Sequence, residues 1–189
     1  MAEREPSRIP PGQTLTRLFP VLHAGTVPHW EHAAWRFDVT GLVDTPLSLD
    51  WDTMMALPHM TLTTDIHCVT GWSKLDTVWE GVPTRAVWDL LEPLSGVTHV
   101  MVRGANDFTS NLAVEDFLDE RAVFAFSFGR EPLEPEHGGP MRLVVPHLYF
   151  WKSAKWVTGF ELMAEERPGY WEDRGYHMHG DPWREERYW

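Results

Sequence analysis

The sequence predicts a single α+β domain built from mixed strands and short helices. Residues Trp35 to Val43 alternate apolar and polar side chains, as in a strand with one buried face. Ala122 to Phe128 is almost continuously apolar, which is typical of a central strand buried on both faces. Short strand and helix patterns follow one another without the regular alternation of βαβ units, which favours α+β over a parallel α/β fold.

The other elements are predicted from local patterns along the chain. Asp50 can cap a short helix that runs through Leu57 and stops at Pro58. His59 to Thr64 is an apolar-polar run that leads towards the only cysteine. Further patterns predict a helix over Arg85–Leu91 capped by Thr84, a helix over Asn111–Leu118, and strands over Val97–Val102, Met141–Val145 and Trp156–Glu161.

Three regions of different character divide the chain. Residues 1–17 are polar and proline-bearing and are predicted to form a flexible leader. Residues 18–164 carry the strand and helix patterns and form the domain. Residues 165–189 are polar and aromatic without a periodic face, and we expect an ordered tail packed on the domain through Trp171, Tyr176 and Trp183.

Composition and charge exclude several classes of partner. A formal net charge of −12 argues against binding to nucleic acid or to an anionic membrane surface. No run approaches the roughly 18 apolar residues that a membrane helix needs, so the chain is not expected to be membrane-embedded. Residues 1–15 show no apolar segment of a secretory signal, and a single free cysteine suits a reducing compartment. We therefore expect a cytoplasmic protein.

The cysteine, Cys68, lies in the stretch Thr64 to Ser73 among small and polar residues. A lone cysteine is either a buried small hydrophobe or a thiolate with a chemical role. The preceding strand pattern and the glycine three residues later favour the second interpretation, because strand ends deliver side chains to pockets. A cysteine nucleophile with His67 as its base is a further alternative, but adjacent strand residues point to opposite faces.

A group of cations and donors between residues 137 and 155 predicts an anion site. Arg142, Lys152 and Lys155 lie within a short stretch of a chain that has only 16 Lys and Arg residues, beside Ser153 and His137. Arginine grips phosphate in a bidentate manner, and lysine supplies a point charge. The alternative is that Arg142 pairs with a core carboxylate and that the lysines form a solvated face.

Other signals are weaker. His177 and His179 could bind a metal, but no third ligand stands nearby, and an exposed pair in the tail is the simpler interpretation. The sequence has no G-x-S-x-G, P-loop or G-x-G-x-x-G motif, so serine hydrolysis and nucleotide binding by those routes lack support.

Taken together, these stretches resemble the sulfite oxidase-fold molybdenum oxidoreductases, and in particular the small bacterial members near the methionine sulfoxide reductase catalytic subunit. The matching pieces stand in the family's order between residues 19 and 162. They are Cys68-Val69-Thr70-Gly71-Trp72-Ser73, Trp79-Glu80-Gly81-Val82, His137 to Pro146, and Trp151-Lys152-Ser153-Ala154-Lys155-Trp156. The resemblance implies the sulfite oxidase molybdopterin-binding fold and a molybdenum-molybdopterin cofactor.

The resemblance also implies roles for individual residues. Cys68 matches the cysteine whose thiolate ligates molybdenum, and soft sulfur suits such a centre. His137 and Arg142 match positions that hold the pterin and its phosphate. Ser153, Ala154 and Lys155 match a second phosphate-binding piece made partly of backbone.

Two further cofactor contacts are implied by a looser alignment. His23 ends an apolar segment at the position where relatives lay an N-terminal segment over the pterin. Arg103, at the end of a predicted strand, falls near another cofactor contact.

The expected activity is a two-electron oxygen-atom transfer on a small-molecule substrate, served by an unidentified electron donor or acceptor protein. Val69, Thr70, Gly71 and Trp72 follow the cysteine, where sulfite oxidases of the eukaryotic type carry residues that help to bind sulfite. We therefore expect reduction of a sulfoxide or N-oxide. The alternatives are sulfite oxidase-type activity and a pterin- or anion-binding module without turnover.

Overall fold

The computed structural model describes residues 7–189, which fold into two β-sheets that share one apolar core. In chain order the strands are β1 (Thr14–Leu15), β2 (Arg36–Gly41), β3 (Leu47–Asp50), β4 (Met60–His67), β5 (Trp72–Pro83), β6 (His99–Gly104), β7 (Thr109–Ala113), β8 (Val123–Phe128), β9 (Glu131–Pro132), β10 (Arg142–Val144) and β11 (Val157–Met163). The helices are α1 (Trp51–Met55), α2 (Thr84–Trp88) and α3 (Val114–Phe117). Short 3-10 turns lie at His32–Ala34, Pro135–His137, Phe150–Lys152 and Glu172–Arg174.

The first sheet has the strand order β1-β5-β8-β10, with β4 also paired to β5 and β9 to β8. The second sheet has the order β3-β2-β11-β6-β7. Antiparallel and parallel pairs mix, since β1 and β5 are parallel, as are β2 and β11, while the other pairs are antiparallel. This arrangement of mixed strands with short helices confirms the predicted α+β class.

Strands β2 and β8 show the burial that their sequence patterns predict. In β2, Phe37 and Val39 are buried while Arg36 and Asp38 are exposed. In β8, Phe124 packs in the main core, whereas Val123 and Ala125 pack in a second cluster. Strand β8 is therefore buried on both faces, which explains its apolar sequence.

Two predictions of local secondary structure are wrong, and in both cases contacts with distant parts of the chain determine the observed structure. The segment Asn111–Leu118 is not one helix: its first residues complete β7, which pairs with β6 from His99 to Arg103, and only Val114–Phe117 is helical. Thr84 does not cap α2, because it is the first helical residue and its hydroxyl donates to the Phe117 carbonyl. By contrast, the Asp50 carboxylate accepts from the Thr53 amide at 2.8 Å and caps α1 as predicted.

The N-terminal region differs from the expected flexible leader where it is described. Thr14 and Leu15 form β1 and pair with Trp72 and Ser73 of β5. Residues 1–6 of that predicted leader lie outside the described residues. None of the helices formed by residues 7–189 is long and apolar enough to span a bilayer.

The hairpin of β4 and β5 positions the candidate site. The two strands pair from Met60–Gly81 to His67–Ser73, and a tight turn joins them at Cys68–Gly71. The Gly71 amide donates to the Cys68 carbonyl at 3.0 Å, and the Cys68 amide donates to the Trp72 carbonyl at 2.8 Å. Gly71 has a φ of +97°, a conformation that favours glycine, so the sequence is suited to this turn.

Candidate active site

A cavity of about 280 Å³ lies beside the Cys68 turn. Its wall combines the cysteine, a set of aromatic side chains and a group of polar and cationic side chains. The aromatic set is Trp72, Trp151, Trp156, Trp171, Tyr176, Phe19, Phe108 and Phe150. The polar and cationic group is His23, Thr70, Arg142, Ser153 and Lys155. The structure therefore brings together four of the predicted site residues that can bind an anion or a pterin with the one thiol in the chain.

Cys68 is 9% exposed and lines the cavity. Its sulfur lies 3.1 Å from the Thr70 hydroxyl. Burial raises the pKa of the Cys68 thiol, and the Thr70 hydrogen bond and the nearby Arg187 charge oppose that rise. The geometry matches the predicted delivery of a thiol to a pocket by the end of a strand.

Aromatic side chains from distant parts of the chain surround the cysteine. Val69, Tyr149 and Trp151 are buried with Cys68 in one cluster, and Trp72, Trp171 and Tyr176 pack against it. The Tyr176 ring lies 5.1 Å from the Trp151 ring and 5.0 Å from the Trp171 ring. The wall of the cavity around the thiol is therefore large, flat and electrically neutral.

Arg142 begins β10 and is 1% exposed. Its guanidinium donates to the carbonyls of His137 and Ser153, both at 2.8 Å, and lies over the Phe150 ring at 4.2 Å from the centroid. Burial lowers the pKa of Arg142 to about 9. Arg142 thus joins the two loops that carry the other predicted phosphate contacts and keeps its charge beside the cavity.

Lys155 also borders the cavity and donates to the Glu136 carbonyl at 2.5 Å. Burial, followed by repulsion from Arg142, lowers the pKa of Lys155 to about 7. Within residues 7–189 neither Arg142 nor Lys155 has a carboxylate at salt-bridge distance. Arg142 is buried and Lys155 is half-buried, and the protonated forms of the two repel each other, so a bound anion would be electrostatically favourable here.

Ser153 and Ala154 are neighbours in the loop before β11, but only Ser153 lines the cavity. Ser153 lines the cavity, and its hydroxyl accepts from the Val145 amide at 2.9 Å. Ala154 is 1% exposed and is not among the cavity-lining residues. Its carbonyl accepts from the Leu143 amide at 2.8 Å. Ala154 therefore ties the loop to β10 rather than presenting its side chain to the cavity.

His137 lies beside the cavity without lining it. Its ring stacks on Phe19 at 4.0 Å between centroids, and Phe19 itself lines the cavity. Burial and the charges of Lys155 and Arg142 lower the pKa of His137 to about 4, so the ring is neutral at physiological pH. Its buried Nδ1 has no hydrogen-bond partner within the described part of the chain.

The N-terminal segment Phe19–Ala24 closes one side of the cavity, as the apolar island in the sequence suggested. His23 lines the cavity, and its ring lies 5.4 Å from that of Trp156 in an edge-on arrangement. The structure thus places His23 in the wall of the cavity.

Arg103 is not brought to this site. It lines a separate surface cleft with Asp38, Thr40 and Thr158, and its guanidinium donates to the Thr40 hydroxyl and the Asp38 carbonyl at 3.1 and 2.9 Å. The predicted cofactor contact at Arg103 is therefore not supported by the structure. Arg103 is on β6 and pairs with Gly159 of β11, and its side chain reaches across β11 to Asp38 and Thr40 of β2.

Two residues that sequence reasoning assigned to the anion site or to catalysis have other partners. The Lys152 ammonium lies 2.7 Å from a Glu172 carboxylate oxygen, away from the lining of the cavity. His67 Nδ1 lies 2.8 Å from the Ser73 hydroxyl, and burial lowers the pKa of His67. His67 therefore does not act on Cys68 in this geometry.

Sequence reasoning missed that Trp171 and Tyr176 line the site and that Arg187 contacts its turn. The tail has no periodic hydrophobic pattern, so its many aromatic residues were the only sequence signal that it packs on the domain. His177 and His179 contact Glu186 at 3.6 and 2.9 Å, and residues 7–189 contain no cluster of three or more His, Cys, Asp or Glu side chains that could bind a metal.

Comparison with known proteins places this site in a family context. Residues 24–171, more than half of the chain, match the family described as the oxidoreductase molybdopterin binding domain. An uncharacterized oxidoreductase of Bacillus subtilis, YuiH, is 46% identical over 96% of this chain and 92% of its own length. A putative protein-methionine-sulfoxide reductase subunit of Azospira oryzae, YedZ1, is 29% identical over 90% of this chain and 66% of its own length.

Other curated relatives are longer. Several proteins named protein-methionine-sulfoxide reductase catalytic subunit match at 25–26% identity, and the chain spans about half of their length. The crystal structure of the sulfane dehydrogenase SoxCD from Paracoccus pantotrophus superimposes with a TM-score of 0.69 at 21% identity, covering 76% of this chain and 41% of that one. This structural likeness establishes the shared fold.

Proposed function

The chain belongs to the oxidoreductase molybdopterin binding domain family, and from that premise we propose that it reduces a small neutral sulfoxide or N-oxide by two-electron oxygen-atom transfer. The observation that carries this proposal is the character of the wall around Cys68. Aromatic and small neutral side chains form it, and Trp72 contributes a buried indole N–H that has no partner within the described residues. A neutral oxide with one acceptor oxygen suits such a wall better than an anion does, because an unpaired anion is costly to bury.

The residues present fit a molybdenum-molybdopterin cofactor. Cys68 offers a soft sulfur ligand at the cavity surface, and Arg142 and Lys155 border the same cavity without a carboxylate at salt-bridge distance within residues 7–189. Gly138 allows both side chains to pack closely against the backbone, because a Cβ there would lie 3.0 Å from the Arg142 Cβ and 3.1 Å from the Lys155 Cγ. The thiol and the anion site therefore border one cavity.

Each of these residues has a distinct role in the proposal. Cys68 would ligate the metal, while Lys155 and the Ser153 loop would hold the phosphate. Arg142 would keep that loop in place, and His23 and Phe19 would cover the pterin and exclude water. Bound in this way, the cofactor supplies the oxygen-atom exchange and its two electrons.

The substrate oxide would bind next to Cys68 against Trp72, Trp171 and Tyr176. The Trp72 N–H would donate a hydrogen bond to the oxide oxygen and orient it. Sulfur makes favourable contacts with aromatic rings, so this wall would also hold the sulfur of a sulfoxide. The name of the Azospira oryzae relative supports the same class of substrate.

We also propose that the electrons come from a separate redox protein in the cytoplasm. The single cysteine in these residues cannot ligate an iron-sulfur cluster or attach a c-type haem, which favours an external donor. A reducing compartment keeps the single thiol available for the metal.

Sulfite oxidation is the competing activity. The two cations at the cavity, Arg142 and Lys155, are assigned to the cofactor phosphate and its loop in this proposal, and two further cations that could bind sulfite do not line the cavity. Arg103 lies in another cleft, and Lys74 donates to the Arg17 carbonyl at 2.6 Å. A binding module without turnover is the other alternative. Sulfite oxidation, oxide reduction and binding without turnover each predict a different assay result for the same metal-loaded sample.

The test is a paired assay on protein purified from a host that makes molybdopterin, after molybdenum and pterin have been measured. Reduced-viologen consumption with a panel of sulfoxides and N-oxides is compared with dye-linked sulfite oxidation. We expect turnover of at least one oxide and little sulfite oxidation. Cys68→Ser should abolish turnover with the fold retained, and Thr70→Ser, which keeps the hydroxyl beside the sulfur, is the matched control.

Sulfite turnover well above that of every oxide would overturn the reductase proposal. Full cofactor content without any turnover would favour the binding module. A Cys68→Ser variant that keeps the wild-type visible absorption would show that Cys68 is not the metal ligand.

A further inference from the structure

Two segments that are distant in sequence, one near Gln13 and one near Arg187, both contact the Cys68 turn. On the N-terminal side, the Gln13 side-chain amide donates to the Cys68 carbonyl at 3.0 Å. The neighbouring Thr14 amide donates to the Gly71 carbonyl at 2.8 Å, where β1 begins to pair with β5. The N-terminal segment is therefore attached to the first and the last residue of the turn.

The C-terminal tail reaches the same turn through Arg187. Its guanidinium donates to the Val69 carbonyl at 2.5 Å, 118 positions earlier in the chain. The other terminal nitrogen lies 3.3 Å from the Gly12 carbonyl and 3.4 Å from the Pro11 carbonyl. One side chain thus joins the tail, the N-terminal segment and the cysteine turn.

The Arg187 guanidinium also makes a cation–π contact with Tyr149. It lies over the ring of Tyr149 at 5.1 Å from the centroid, and Tyr149 is fully buried in the cluster that contains Cys68. Arg187 does not line the cavity, so its contacts are with the backbone of the turn and not with the cavity itself. A planar fork with donors in fixed directions is suited to bridging two backbone segments in this way.

We propose that Arg187, assisted by Gln13, is a positioning residue that holds the Cys68 turn in the orientation required for metal ligation. The part that concerns the metal rests on the proposed role of Cys68 as its ligand. The contacts to two successive carbonyls of a four-residue turn restrict its rotation, since Val69 and Cys68 are each held from outside the hairpin. The charge of Arg187 makes its bond to Val69 stronger than a neutral hydrogen bond.

The experiment compares Arg187→Ala with Arg184→Ala, an arginine three positions earlier in the same tail. Arg184 is 71% exposed and pairs with Glu186, so its removal tests the loss of a tail arginine without the turn contact. Hydrogen–deuterium exchange of the peptide that spans residues 66–73 is measured first, on cofactor-free protein. Arg187→Ala should exchange at least about tenfold faster there, the factor expected from the loss of one charge-assisted hydrogen bond, and Arg184→Ala should not.

The second measurement is made on metal-loaded protein and is normalised to bound molybdenum. The thiolate-to-molybdenum absorption and the Mo(V) electron paramagnetic resonance signal should shift in Arg187→Ala, and Arg187→Lys should restore them only in part. If Arg187→Ala does not fold, Arg187→Lys and Gln13→Leu are used in its place, and each should accelerate exchange in residues 66–73.

Unchanged exchange in the folded variants would overturn the proposal. Faster exchange with unchanged spectra per molybdenum would also overturn it, because the turn would be held without any effect on the ligand. If Cys68→Ser shows that Cys68 is not the ligand, the exchange result still reports on the turn, so failure of the proposed function is distinguishable from failure of this inference.

Discussion

The ammonium of Lys152 lies 2.7 Å from a carboxylate oxygen of Glu172, and the two side chains are 1% and 0% exposed. Lys152 also donates to the side-chain oxygen of Asn111 at 2.8 Å, and the Trp151 indole donates to the same Glu172 oxygen at 2.8 Å. The pair therefore attaches the C-terminal tail to the loop that carries Ser153 and Lys155. In this way the tail residues that line the cavity are held to the loop that carries the proposed anion site.

Replacement of Lys152 by Met should destabilise the protein strongly. The change leaves the Glu172 carboxylate buried without its cation, and such losses cost about 3 to 5 kcal/mol. Urea unfolding should show this loss, and adding Glu172→Gln should recover part of it. Arg8, which is 55% exposed and pairs with Asp65, provides the control, because Arg8→Met should lower the urea midpoint much less than Lys152→Met does. Equal losses in the two single variants would contradict the assignment.

Anion binding should depend on the protonation of Lys155. The pKa of Lys155 is lowered to about 7, so above that pH the free protein carries a neutral amine and must take up a proton when an anion binds. The affinity of the cofactor-free protein for inorganic phosphate should therefore fall as the pH rises from 7 to 9, by up to about tenfold per unit. Isothermal titration calorimetry measures this slope.

The matched variant for that prediction is Lys155→Arg, which keeps the charge throughout this range. Its phosphate affinity should show no loss attributable to this position between pH 7 and 8, below the pKa of about 9 of Arg142. Lys155→Ala should bind phosphate about ten- to a hundredfold more weakly than the wild type at pH 7. An unaltered slope in the arginine variant would assign the titration to another group.

Trp72→Phe should reduce the efficiency of oxide reduction while leaving the aromatic wall in place. The Trp72 N–H is buried and unpartnered within residues 7–189, and in the proposed function it donates to the oxide oxygen. Loss of one such bond should lower kcat/KM by about two- to tenfold. Steady-state kinetics with equal molybdenum content tests this. A variant with unchanged kcat/KM for every oxide would exclude the indole as a substrate contact.

Trp171→Ala should alter which oxides are reduced. Trp171 lines the cavity and packs on Tyr176, so its removal enlarges the pocket beside Cys68. The ratio of kcat/KM for a bulky aryl sulfoxide to that for dimethyl sulfoxide should rise by about tenfold or more, the scale of discrimination in apolar pockets. Trp183→Ala is the control, because Trp183 is 46% exposed and is not a cavity-lining residue.

The His179 contacts should stabilise the tail in a pH-dependent manner. Hydrogen bonding to Asp116 raises the pKa of His179 to about 9 in the folded protein, with Glu186 acting in the same direction. Because the folded-state pKa exceeds the unfolded one, this stabilisation is fully present below about pH 6.5 and is lost as the pH rises through 9. His179→Gln should therefore lower the Tm by a few degrees at pH 6 and by less at pH 10. A loss that is independent of pH would contradict the charge contribution.

The sequence by itself determined the fold class, the central strand and the thiol at a strand end. Apolar alternation in Phe37 and Val39 and the continuous run around Phe124 follow directly from which faces are buried, so composition and period predict them. The order of the motifs around Cys68, Arg142 and Lys155 likewise indicated the cofactor family before any contact was known.

The tertiary structure alone decided which side chains face the cavity. Lys152 and Lys155 are three residues apart, yet the 3-10 turn at Phe150–Lys152 directs the first to Glu172 and leaves the second at the cavity. The roles of Trp171, Tyr176 and Arg187 depend on contacts with residues distant in the chain, and a tail without hydrophobic period carries no local signal of them. A local sequence pattern can predict whether a residue is buried. It cannot predict which residue it contacts, because that depends on how distant segments of the chain pack together.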